Sequence, residues 1–169
     1  MFHGRKSPQQ LTLLILASVV LAGCPTREEQ FGRRLVGRWQ GTVRVNAKKL
    51  EPTLTGVDGK VQLETLVDAL EALQLTLVFH ASGSVEVTTS TVDGKLPEET
   101  GRGTWKVLSA DEHSMELEML LQDPLEQGEE NRQLRTVQFA GEDRFRITTG
   151  PPGAEDAIVQ HYQRQVVRE

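Results

Sequence analysis

The residues able to do chemistry here are few and scattered. The chain holds one thiol, Cys24, and four histidines, His3, His80, His113 and His161. A lone cysteine cannot close a disulfide within its own chain. The histidines lie far apart, and none has the short-spaced partner that a zinc motif requires. No Gly-x-Ser-x-Gly elbow, phosphate loop or dinucleotide fingerprint occurs. The carboxylate pairs Glu98-Glu99, Glu116/Glu118 and Glu129-Glu130 fall on expected loops or on the outward face of a strand, where no buried pocket would shift a pKa for acid–base work. The acidic segments 95–101 and 125–131 lack the alternating oxygen ligands of a calcium loop. The pattern offers no catalytic residue, no metal ligand set and no cofactor site, so the expectation is a non-enzymatic protein.

The setting of Cys24 is more informative than its thiol. Arg5 and Lys6 precede an apolar run over residues 11–21, which ends in small residues. That is the three-part organisation of an export signal. A spanning helix needs about 20 apolar residues, and Gly23, Cys24 and Pro25 interrupt this run after roughly a dozen. Ordinary cleavage could fall after Ala22, or after Cys24 with Ala22 upstream. Pro25 argues against the second, because its ring and fixed φ make it a poor residue just past a scissile bond.

Leu21-Ala22-Gly23-Cys24 resembles the lipobox of bacterial lipoproteins, in which a leucine and two small residues precede an obligatory cysteine. The resemblance implies cleavage between Gly23 and Cys24, a diacylglycerol on the Cys24 sulfur, and a further palmitate-type chain on the new amino group. Such an anchor is physically sufficient, since each buried methylene contributes roughly 0.8 kcal/mol and two or more chains hold stably. Pro25 and Thr26 supply no aspartate after the cysteine, which under the same resemblance points to the outer membrane facing the periplasm over the inner membrane. The expected organisation is a signal peptide over 1–23, a lipidated tether over 24–34 and one domain over 35–169. Removing residues 1–23 takes away Arg5 and Lys6 and no acid, moving the formal charge from −5 to −7. A chain so acidic is a poor partner for nucleic acid, which selects a basic stripe. Arg27, Arg33, Arg34 and Arg38 cluster near the anchor, as a headgroup contact or as part of a solvated tether.

Beyond the tether, period-two alternation recurs in short segments separated by turn residues. Trp39, Gly41, Val43 and Val45 share one face of a first strand, and Leu73, Leu75, Leu77 and Phe79 one face of a second. Ala81-Ser82-Gly83 turns the chain into Val85 and Val87. Trp105 with Val107, then Met115 to Leu121, then Val137 with Phe139, Phe145 with Ile147, and a last segment from Ile158 to Val166 complete the count. Between the first two strands, Leu63, Leu66, Val67, Leu70 and Leu73 recur at helical spacing and predict an amphipathic helix over 60–72. The fold class is therefore mainly β: about eight antiparallel strands in an up-and-down barrel, with one helix between strands 1 and 2. Two copies of Val-Asp-Gly-Lys, at 57–60 and 92–95, read as turn chemistry and not as a repeat.

Gly37-Arg38-Trp39 resembles the Gly-x-Trp signature of lipocalins, and Gly103-Thr104-Trp105 echoes it. The resemblance implies an eight-stranded barrel in which a basic residue of a late strand, here Arg164, packs over Trp39. Trp39, Trp105 and Arg164 are thus the expected closure of the barrel. Two features depart from that family: the absence of a cysteine pair and the position of the helix. An interior of this strand number holds either side chains or one small ligand. The candidate lining is Leu75, Leu77, Phe79, Met115, Met119, Phe139 and Phe145, with Thr89, Thr91, Arg135 and His161 as the polar inward candidates. Two functions remain: a barrel holding a small apolar molecule or lipid under a helical gate, or a solid barrel that meets another envelope protein.

Overall fold

Eight alternating segments pair in chain order and close on themselves, forming an antiparallel up-and-down β-barrel. The computed structural model describes residues 24–51, 59–94, 97–122 and 130–166. Residues 1–23, expected as a signal peptide, the first Val-Asp pair at 57–58, and residues 95–96 and 125–129 of the two acidic segments lie outside the described residues. The strands are β1 (Gly37–Val45), β2 (Leu73–Phe79), β3 (Ser84–Thr91), β4 (Glu99–Ala110), β5 (Ser114–Gln122), β6 (Glu130–Phe139), β7 (Arg144–Thr149) and β8 (Ile158–Arg164). Helices α1 (Arg27–Leu35), α2 (Ala47–Leu50) and α3 (Gly59–Glu71) complete the fold. β1 pairs with β2 on one side and β8 on the other, Trp39 lying opposite Leu77 and Arg164. Because side chains alternate across a strand, the ladder registers fix which residues point inward, apart from a register shift between Val107 and Ser109 on β4.

Several boundaries differ from the sequence pattern. β4 starts at Glu99, so part of the expected acidic loop is strand. Val166 lies beyond β8 and is 77% exposed. On α3, Leu63 is buried against Leu50, Ala154 and Ala157, but Leu66 is 42% exposed. The helix thus touches the barrel along a stripe narrower than its apolar spacing, through contacts with β1 and α2.

The largest difference is at the start. Residues 27–35, expected within a lipidated tether over 24–34, form α1, which buries Phe31 and Leu35 in the barrel core. The cause is local. Thr26 is the N-cap and its hydroxyl accepts the backbone N–H of Glu29 at 3.2 Å. Thr26 and Glu29 have the residue types and spacing of a capping box, and Glu28 and Glu29 complement the positive end of the helix dipole. Phe31 and Leu35, one turn apart, then share the inner face.

Gly41 shows how tightly the inner wall is filled. A Cβ built there would lie 2.5 Å from the ring of Tyr162, its register partner on β8, which is 3% exposed and has nowhere to move. Gly41→Ala is expected to destabilise the barrel by about 1–3 kcal/mol, as other overpacked cores do. Urea unfolding would measure it, and an unchanged midpoint would contradict the contact.

The β4–β5 turn depends on one carboxylate. Asp111 accepts hydrogen bonds from the Ser114 hydroxyl at 2.7 Å and from the backbone N–H groups of His113 and Ser114 at 2.8 and 2.7 Å. These bonds, the Ser114 hydroxyl first, lower its pKa from 3.8 to about 2. A depressed carboxyl pKa contributes stability that is fully present above pH 3.8 and is lost as pH falls through about 2. Carbon-detected NMR titration of Asp111 should find a midpoint near 2; one near 3.8 would mean the turn bonds are absent in solution.

Candidate functional site

The barrel has two ends, and α1 closes the one formed by the start of β1. Helix ends leave carbonyls without partners inside the helix. Here the barrel supplies the donors. Trp39 Nε1 donates to Leu35 O at 2.7 Å, and the Arg164 guanidinium donates to Val36 O at 2.8 Å and Arg34 O at 2.5 Å. The guanidinium carbon of Arg164 lies 4.2 Å from the Trp39 ring centroid, a cation–π contact, and its Nε is 3.2 Å from Asp143. A cation at the C-terminal end of a helix also opposes the helix dipole. Gly37 belongs to the same arrangement, since its φ of +133° is poorly accessible to other residues and a Cβ there would lie 2.6 Å from Arg164 Nη1. The Gly-x-Trp segment and Arg164 together therefore cap α1 and hold it across the mouth.

Trp105 sits at the same end, half-buried. It packs edge-on against Phe79 at 5.3 Å, lies beside Gly32 of α1, and donates to His80 O at 3.2 Å. Phe139 is also half-buried at this rim, between Phe31 at 5.5 Å and Phe145 at 5.9 Å, with the Arg34 guanidinium carbon 4.0 Å from its ring centroid. Phe145 in turn meets Trp39 and Tyr162, each at 4.7 Å. Aromatic rings thus run in contact from the helix into the barrel.

The remaining candidate lining residues, Leu75, Leu77, Phe79, Met115, Met119 and Phe145, are each no more than 8% exposed and belong to one packed cluster with Trp39, Leu117, Val137, Ile147 and Tyr162. Toward the other end the interior turns polar. The Tyr162 hydroxyl donates to Gln160 Oε1 at 2.9 Å, and Arg135 Nη2 donates to Gln133 Oε1 at 3.0 Å. Burial pushes the Tyr162 hydroxyl well above its ordinary pKa and lowers that of Arg135. A recess of about 220 Å³ beside Leu73, Thr89, Thr91 and Glu99 is smaller than an ordinary ligand pocket of roughly 300 Å³ or more.

His161, a candidate for the polar interior, faces outward instead. It pairs across the sheet with Thr42 and Arg146, and strand alternation assigns the interior to Gln160 and Tyr162. Gln160 and Tyr162 are inward residues that the sequence pattern did not single out; their signal was parity with Arg164. Glu118, on the outer face as expected, is 4% exposed because Lys106 at 2.6 Å and Arg132 lie over it. The hydrogen bond from Lys106, followed by that from Arg132, lowers its pKa and keeps it ionised. That is an ion-paired carboxylate. Cys24 is exposed, two residues before the Thr26 N-cap of α1. Among the described residues no three of His, Cys, Asp and Glu converge as a metal ion would require, and no helix is long and apolar enough to cross a membrane.

A surface recess of about 740 Å³ forms a groove on the outer wall over β6, β7, β8 and β1. Gln40, Thr42, Gln138, Arg144, Arg146, His161 and Gln163 supply its polar surface.

Fold and site together define a closed up-and-down β-barrel with a helical plug and a packed apolar interior. No protein-family model matches the chain, and no curated protein matches it. Similar solved structures include a redesigned β-barrel, b11L5F_LGL, at 15% identity, covering 80% of this chain and 95% of that one with a TM-score of 0.45. A de novo designed fluorescence-activating β-barrel is 15% identical over 79% of this chain and 96% of its own, with a TM-score of 0.40. The redesigned barrel mFAP1, solved bound to DFHBI, is 16% identical over 82% of this chain and 100% of its own, with a TM-score of 0.40.

Proposed function

We propose that this chain is a non-enzymatic cell-envelope lipoprotein, held by acyl chains on Cys24 in the outer membrane and facing the periplasm, whose solid, lipocalin-like barrel contacts another envelope protein. The lipobox-like Leu21-Ala22-Gly23-Cys24 and the export signal before it support the anchor. With only Pro25 and Thr26 between Cys24 and α1, at about 3.5 Å per residue, the barrel rides close to the bilayer. The Gly-x-Trp segment with Arg164 over Trp39 supports the lipocalin-like reading.

One observation carries the choice between a carrier and a solid module: the side chains that would line a ligand cavity are already packed against one another, with α1 inserted at one mouth. A carrier of a small apolar molecule or lipid needs that volume empty. The test is xenon uptake, because a dry apolar cavity of about 150 Å³ can take up xenon. Under xenon pressure the methyl signals of Met115 and Met119 should not move in a filled barrel. Saturable shifts of those methyls would restore the ligand-carrier reading.

A further inference from the structure

On the reading that the barrel is an interaction module, we propose that the outer groove over β6, β7, β8 and β1 is the docking site for an acidic segment of a partner protein, bound in extended conformation. The chain is acidic overall, yet the outward positions of β7, β8 and β1 carry Arg38, Arg44, Arg144, Arg146 and His161 and no carboxylate. Among the described residues, Arg38 and Arg146 donate to neutral amide oxygens, those of Gln165 and Gln138, at 2.8 Å each. Arg144 has no ion-pair partner among the described residues, and Arg44 reaches Glu71 only at 4.0 Å, outside the groove. A guanidinium is a fork of five donors suited to carboxylates, and among the described residues most of those donors are unused.

The spacing selects the occupant. Arg144 and Arg146 flank Phe145 on one face of β7, about 6.5 Å apart at the usual strand rise. Alternate side chains of an extended peptide repeat at the same distance, so acidic residues at alternate positions meet the two arginines in register. His161 and Gln163 lie opposite them on β8, and Thr42 and Gln40 lie beyond on β1, adding further hydrogen-bonding groups. A closed barrel has no free edge to accept an added strand, so recognition falls to these side chains. A membrane surface fits less well. It is flat where the site is a groove.

The test uses the full chain in non-ionic detergent and a fluorescein-labelled octapeptide of alternating Glu and Thr, read by fluorescence anisotropy at low salt. The peptide should bind and should weaken as salt rises, while the Lys/Thr counterpart should not bind. R144Q/R146Q should weaken binding about tenfold or more with an unchanged thermal melt, and Arg102→Gln on the opposite wall should leave it unaltered. Absence of Glu/Thr binding, or binding indifferent to R144Q/R146Q, would overturn the proposal. Capture by anionic phospholipid vesicles through Arg144 and Arg146, with no peptide binding, would overturn it in favour of a lipid surface. Xenon uptake by the interior would defeat the solid-module reading while leaving the anisotropy result as it stands, so the two failures are separable.

Discussion

Trp39→Ala is expected to lower the unfolding free energy by about 3–5 kcal/mol, the range for truncating a large aromatic in a core. Trp39 is 0% exposed and sits where α1, β1, β7 and β8 meet. Its ring packs edge-on against Phe145, lies under the Arg164 guanidinium, and ties α1 to β1 through the bond from Nε1 to Leu35 O. Alanine removes the volume, strands a helix carbonyl and leaves Arg164 without its aromatic face. The loss should therefore appear both in global denaturant unfolding and as faster hydrogen exchange of the α1 amides. A loss under about 1 kcal/mol would mean that Trp39 does not close the core.

The second large effect is on location. Cys24→Ser is expected to move the protein from the membrane pellet to the soluble fraction, or to leave it as an uncut precursor. The serine hydroxyl is nearly isosteric, and the exposed Cys24 side chain makes no core contact, so the barrel should be unaffected. On the proposed reading the substitution removes the lipid attachment alone, and with it the stable anchoring that two or more acyl chains provide. The check is fractionation of cell envelopes with metabolic acyl labelling of both forms. Normal processing and unchanged membrane association of the serine form would refute lipidation.

Much of the architecture is legible in the sequence because a barrel wall has one buried face, and burial enforces strict alternation. Trp39 to Val45, Leu73 to Phe79 and Met115 to Leu121 show it plainly. Arg164 across from Trp39 is legible only through the Gly-x-Trp resemblance; the physical reason, capping of the α1 carbonyls, required the helix to be seen. α1 itself was concealed by its charge. Of its nine residues, Phe31 and Leu35 alone are buried, and the arginines around them read as a tether. The Thr26 to Glu29 capping spacing, followed by apolar residues one turn apart, was the available signal. The groove was not legible, because its arginines and glutamines come from strands that only closure of the barrel brings side by side. Whether the inward list packs or encloses a void also lies beyond periodicity. It depends on ring-to-ring contacts such as Phe145 against Tyr162 and on the insertion of Phe31 from outside the barrel.

The most direct measurement is native mass spectrometry of the full chain, released from detergent micelles after incubation with envelope lipid extract. A filled barrel gives only the mass of the polypeptide with whatever is covalently attached to it. A discrete additional mass that disappears on denaturation would identify a molecule held inside and contradict the solid-module reading.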